Sequence, residues 1–143
     1  CANADLRIKI DKAININEVC DVNPFGIEAL IAAYNEGKEW LEELKYYLWI
    51  NYNYLKAYFS ENLPQFPVTM LEGTYLVWLD CSELGISGKE LDQFIVEKAG
   101  LWLDGGAMFG PSGADFQRVN IACPRATLEL ALDKLKAAVD NLG

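Results

Sequence analysis

The spacing of apolar residues changes period several times along this chain, and each change predicts an element. From Asp5 to Ile16, Leu6, Ile10, Ala13 and Ile14 fall on one helical face, although Ile8, Ile14 and Ile16 also permit a strand. The polar run Asn17 to Pro24 closes with Asn23-Pro24, a turn followed by a helix start. Ile27, Leu30, Ile31 and Tyr34 then stand at i, i+3, i+4 and i+7, the stripe of an amphipathic helix. Gly37 interrupts it, after which Leu41, Leu44, Leu48, Tyr52, Leu55 and Phe59 continue in steps of three and four. A second stripe, Trp40, Tyr47 and Tyr54, runs beside the first at seven-residue spacing. The apolar face is thus broader than one small sheet needs, as expected of a helix that also packs on a second domain or subunit. Acidic flanks and the lack of a strict heptad argue against a membrane-surface or coiled-coil role. Leu63-Pro64 ends the helix.

Beyond Pro64 the pattern turns β-rich. Val68 to Leu71 and Thr74 to Asp80, either side of Glu72-Gly73, predict a hairpin. Ser87-Gly88-Lys89-Glu90 has the form of a capping box, with Leu91, Phe94 and Ile95 as the apolar face of its helix and Gly100 as the stop. Leu101 to Leu103 predict a short strand, Gly105 to Gly113 a glycine-rich loop, and Phe116 to Cys123 another strand. Leu128, Leu132, Leu135, Val139 and Leu142 define a closing amphipathic helix ending at Gly143. Helix, helix, then β-β-α-β-β-α is an α/β (α+β) order. It predicts a mainly antiparallel sheet of about four strands with helices on one face, preceded by a long helix.

Composition narrows the function classes. At 143 residues the chain is sized for one domain with a core, and 52% hydrophobic with 23% charged residues suits a globular protein. A net charge of −9 argues against nucleic acid, whose phosphates demand a basic stripe. No apolar run approaches the roughly 20 residues of a membrane span. No basic-then-apolar leader is visible either, and a chain opening on Cys1 reads as an internal piece. Cys1, Cys20, Cys81 and Cys123 form no CxxC pair, and there is no histidine. Free thiols in a reducing cytoplasm are therefore expected rather than a metal site. The missing histidine also removes every Ser/His or Cys/His pairing, so proton transfers are expected to be supplied from elsewhere.

One strand carries the candidate chemistry. Alternation along Phe116 to Cys123 puts Val119, Ile121 and Cys123 on one face and Phe116, Arg118, Asn120 and Ala122 on the other. Arg118 follows the glycine-rich loop, which lets a backbone approach a ligand closely, and a planar guanidinium suits a carboxylate. The loop has no phosphate fingerprint and also fits a tight connection between two strands. Of Tyr75 and Trp78, on opposite faces of their strand, Trp78 is expected in the core. Glu72 and Asp80 stand too far apart for paired acid–base work.

EGTYLVWLD (Glu72 to Asp80) and GGAMFGPSGADFQRVNIACPR (Gly105 to Arg125) resemble the C-terminal small domain of class I/II pyridoxal-phosphate (PLP) aminotransferases, fold type I. Within that family the motifs are most similar to the cystathionine β-lyase, or C–S lyase, branch. NPFGIEALIAAYNEGKEWLEEL (Asn23 to Leu44) is similar to its helical interdomain link. The resemblance implies residues 1–37 as a link to a large domain and 38–143 as the small domain. It further implies a homodimer, and PLP held as a Schiff base on a large-domain lysine in an S-x-x-K segment that this chain lacks. Arg118 would grip the α-carboxylate of an amino-acid substrate, with Gly73, Thr74, Tyr75, Phe109 and Asn120 as cleft-lining candidates, while Arg125 would brace the last helix. The expected activity of the whole enzyme is β-elimination to pyruvate, ammonia and a thiol, this chain alone being inactive. An aminotransferase, the ligand-sensing domain of a transcription regulator and a ferredoxin-like regulatory module are the alternatives.

Overall fold

The computed structural model describes residues 3–16 and 23–142. The polar run at 17–22 with its Cys20, and likewise Cys1 and Gly143, lie outside them. The chain divides into two compact units, Cys1–Glu43 and Leu44–Gly143.

In the first unit the helical reading of the opening segment holds and its strand alternative does not. Helix α1 spans Ala4–Asn15, and the Asn3 side chain accepts from the Leu6 N–H at 3.0 Å. Helix α2 spans Pro24–Glu36, with Pro24 at its start and Asn23 accepting from the Phe25 N–H at 3.0 Å. Only Gly37 separates α2 from α3, Lys38–Asn62. A Cβ at Gly37 would run into the carbonyl of Ala33, so glycine is what lets the Gly37 N–H reach that oxygen at 3.0 Å. Neither α1 nor α2 buries a residue, and Phe25 and Tyr34 are each 82% exposed.

The second unit holds the core. Leu48, Tyr52, Leu55 and Phe59 of α3 are buried together with Val77 and Leu79 of β1, Leu76–Asp80. Leu91, Phe94 and Ile95 of α4, Lys89–Glu97, and Leu128, Leu132 and Leu135 of α5, Arg125–Asp140, complete it. The stripe read from the sequence is therefore core from Leu48 onward, partly covered at Leu44, and exposed at Leu41. The second stripe is used in part by the chain itself: the Tyr47 hydroxyl donates to the Cys123 carbonyl at 3.1 Å, and Tyr54 lies under the Arg125 guanidinium. Trp40 remains 65% exposed.

The sheet is antiparallel with helices on one face, as expected, but has three strands in the order β1-β3-β2. The first arm of the predicted hairpin is reduced to one bridge, Val68 to Leu79. Thr74 and Tyr75 do not join β1, because Thr74 turns the chain at φ 64°. The strand expected at Leu101 to Leu103 is displaced to β2, Asp104–Gly105. Leu101 and Leu103 instead pack on the core from irregular backbone. Strand β3 is Phe116–Asn120, ending three residues before Cys123. The capping box does not form: Gly88, at φ 55°, is the N-cap of α4, and no side chain caps the helix.

Candidate functional site

The face of the sheet away from the helices carries one cross-strand row. Arg118 sits on the central strand, paired in register with Trp78 of β1 and with Asp104 of β2. Strand alternation requires this placement, since Val77, Leu79 and Gln117 point to the buried side. Trp78, expected in the core, thus stands on the opposite face beside Arg118, and its neighbours' burial explains the difference. Gln117 is the one polar residue on the inner side of β3, and its amide donates to the Asp92 carboxylate at 2.8 Å.

Arg118 is held on several sides. One oxygen of Asp104, Oδ2, accepts from Nε at 3.2 Å and from Nη2 at 2.6 Å. The guanidinium carbon lies 4.5 Å from the Phe109 ring centroid and 6.0 Å from that of Trp78. Phe109 and Phe116 each meet Trp78 edge to face, at 5.3 and 6.5 Å. The Arg118 side chain retains 23% exposure and Asp104 43%, so the pair is desolvated only in part. Among the described residues nothing else accepts from this guanidinium, which leaves its Nη1–Nη2 edge without a hydrogen-bond partner among them.

The glycine-rich loop is a strand connection. A Cβ on Gly106 would strike the carbonyl oxygens of Gly113 and Phe116, and one on Gly113 would strike that of Gly106. The close approach that glycine permits at these two positions is backbone on backbone, closing the neck of the loop. Between the two glycines the chain makes short 3₁₀ turns at Gly106–Phe109 and Pro111–Gly113, which carry Phe109 over Arg118.

The other candidates are more distant from this row. Gly73, Thr74 and Tyr75 lead into β1 at the end where Leu76 pairs with Asn120. Thr74 Oγ1 accepts from the Leu76 N–H at 3.2 Å. Asn120 Oδ1 accepts from the Ala122 N–H at 2.9 Å, so that side chain shapes the end of its own strand. Arg125 does brace the start of α5, through partners on α3: its Nε donates to Asn51 at 3.1 Å and its guanidinium stacks on Tyr54 at 4.2 Å. Asp104 was not singled out by sequence reasoning. The signal, an acid one residue beyond an apolar run and fourteen before the arginine, has meaning only once β2 pairs with β3.

Chemically, the row can hold one carboxylate in a planar fork, and it offers no nucleophile. Burial pushes the Cys81 thiol up to about 12 and raises that of Cys123 as well. No lysine occurs between Lys56 and Lys89 or between Lys98 and Lys134, the stretches that build this face.

No family model matches the chain. It is 37% identical over 133 residues to the cystathionine beta-lyase PatB of Bacillus subtilis, covering 93% of this chain and 34% of that protein. Its structure superposes on cystalysin of Treponema denticola, which contains pyridoxal 5'-phosphate, with a TM-score of 0.91 and 29% identity over 99% of this chain and 36% of the other. For the PLP-bound C–S lyase of Staphylococcus hominis the TM-score is 0.83 and the identity 32%, over 99% of this chain and 37% of the other. The chain thus spans about a third of the length of the proteins it matches.

Proposed function

We propose that this chain, a member by these likenesses of the cystathionine β-lyase-like branch of the PLP-dependent aminotransferase fold, is the C-terminal small domain of such an enzyme and grips the substrate in a C–S lyase. The reaction is β-elimination from a sulfur-bearing amino acid, giving pyruvate, ammonia and a thiol. Arg118 carries this proposal: its guanidinium is fixed by Asp104 and by two aromatic rings, and one full edge stays open for an α-carboxylate. Carboxylate recognition by such a fork is bidentate and charge-assisted. Phe109 and Trp78 shield the guanidinium from water on its flanks, which strengthens that bond.

When bound, PLP supplies the electron sink for breaking bonds at the α-carbon. The residues on this face fit the substrate rather than the cofactor, since no amine stands there to hold it. We assign the cofactor's lysine and phosphate cradle to a separate large domain, with residues 1–37 as the link and a homodimer as the assembly. The lack of any buried residue on α1 and α2 supports a partner for those helices. The free thiols of Cys81 and Cys123 support a cytoplasmic setting.

The test is kinetic, in the enzyme that contains this chain. Arg118→Ala should lower kcat/KM on a thioether amino acid about a hundredfold, as expected when a charge-assisted pair is lost. Arg118→Lys should recover part of the loss. An amine analogue lacking the carboxylate should be turned over equally by both forms. Equal loss on both substrates would overturn the carboxylate assignment, and a keto-acid product without thiol release would overturn the lyase assignment.

A further inference from the structure

Asp104 takes only one edge of the Arg118 guanidinium. Nε–H and the Nη2 hydrogen beside it both point to Asp104 Oδ2, at 3.2 and 2.6 Å. The second oxygen of Asp104 takes no part. What remains is the end-on edge, one hydrogen of Nη1 and one of Nη2, which is the edge a carboxylate can meet with both oxygens. A substrate carboxylate therefore has no need to displace Asp104. We infer that Asp104 is a positioning residue: it holds the side edge of Arg118 so that the end-on fork faces the substrate. This rests on the carboxylate role of Arg118 proposed above.

Three features support the assignment. First, Asp104 and Arg118 are register partners on β2 and β3, so backbone pairing fixes the distance between their side chains. Second, β2 is held in place on its own account. A Cβ at Gly105 would meet the Asp92 carboxylate, and Asp92 in turn takes the amide of Gln117, the residue paired with Gly105. The Asp92 carboxylate thus lies close beside Gly105 on the Gln117 side of β2, while Asp104 acts on the other side. Third, Phe109 and Trp78 restrict the plane of the guanidinium but offer no directed hydrogen bond, so they cannot choose which edge faces outward. Asp104 makes that choice. Its charge also offsets that of Arg118, so that the site binds by directed hydrogen bonds more than by general attraction of anions.

Two measurements test this. In the 143-residue chain, Arg7, Arg118 and Arg125 are the arginines, so side-chain nitrogen NMR can follow Arg118 directly. Asp104→Ala should shift its Nε–H signal and speed rotation about Nε–Cζ, while Asp104→Asn should give a smaller change. Unaltered Arg118 signals in Asp104→Ala would overturn the inference. In the PLP-loaded enzyme, Asp104→Ala should raise KM for the amino acid about tenfold with kcat nearly unchanged, and Asp104→Asn should recover part of it. If Arg118→Ala impairs the enzyme but Asp104→Ala leaves KM unchanged, the positioning role fails and the carboxylate reading stands. If Arg118→Ala has no effect, both fail together.

Discussion

Arg125 donates its Nε–H to Asn51 at 3.1 Å, and through Asn51 the first turn of α5 is tied to the residues where β3 ends. The Asn51 amide donates to the carbonyls of Ile121 at 2.9 Å and Cys123 at 3.0 Å, and the residue is fully buried. It lies on α3 among apolar neighbours, so one polar side chain specifies how helix, strand end and closing helix meet.

Asn51→Leu should therefore destabilise the fold by about 2–4 kcal/mol, because it strands two carbonyls and a guanidinium bond at once. Urea denaturation should show a lower midpoint with an unchanged slope. A loss below about 0.5 kcal/mol would mean that water replaces the amide.

Gly106 and Gly113 each touch the other's backbone, so alanine at either cannot be accommodated without opening the loop neck. Gly106→Ala and Gly113→Ala should each cost more than about 2 kcal/mol. The double variant should cost less than the sum of the two, since the first already opens the contact. Additive losses from a double-mutant cycle would count against a shared neck.

Thr74 is β-branched yet holds φ 64°, a conformation favourable to glycine and asparagine. Thr74→Asn should stabilise the chain by about 0.5–1 kcal/mol, because asparagine tolerates that backbone and can still accept from the Leu76 N–H. Thr74→Gly gains the backbone freedom but loses the acceptor, and should be nearly neutral. Thermal melts of the two variants separate strain from hydrogen bonding.

Burial pushes the Cys81 thiol from 9.0 up to about 12, with nearby Asp80 adding to the shift. The folded state then holds this proton more tightly than the unfolded chain. The stabilisation is fully present below about pH 9 and is lost as pH rises through about 12. Tyr58, moved from 10.0 to about 12 by burial and by its hydrogen bond to Asp133, adds to the same alkaline slope. Denaturant titrations across that range should show stability falling with pH, less steeply in Cys81→Ala. Alkylation of the native chain should label Cys123 ahead of Cys81, which is 5% exposed.

The helices were legible because their signals are local. Asn23-Pro24 starts α2, and the three-and-four spacing from Leu48 to Phe59 is the buried face of α3. The sheet was less legible because its boundaries depend on partners far along the chain. Asp104–Gly105 is strand only where it lies against Arg118 and Gln117, and Leu101 to Leu103, with stronger β character, stays outside. Ser87 lost its capping role to Gly88, whose left-handed backbone no spacing rule reveals. Parity alone could have placed Trp78, since Val77 and Leu79 on either side are buried. Arg118 and Phe109 can be named from the sequence, but Asp104 and the place of Trp78 beside them come only with the fold.

The closed neck at Gly106 and Gly113 also bears on how chains of this type can diversify. Residues 107–112 project from a pinched base whose two sides are fixed by each other rather than by the sequence between them. That segment carries Phe109, the ring over Arg118. Exchange of the segment, even at altered length, would leave β2 and β3 in register while changing the roof above the guanidinium. The surroundings of that guanidinium could then vary through the loop tip at little cost to the scaffold, much as interchangeable heads are fitted to one handle.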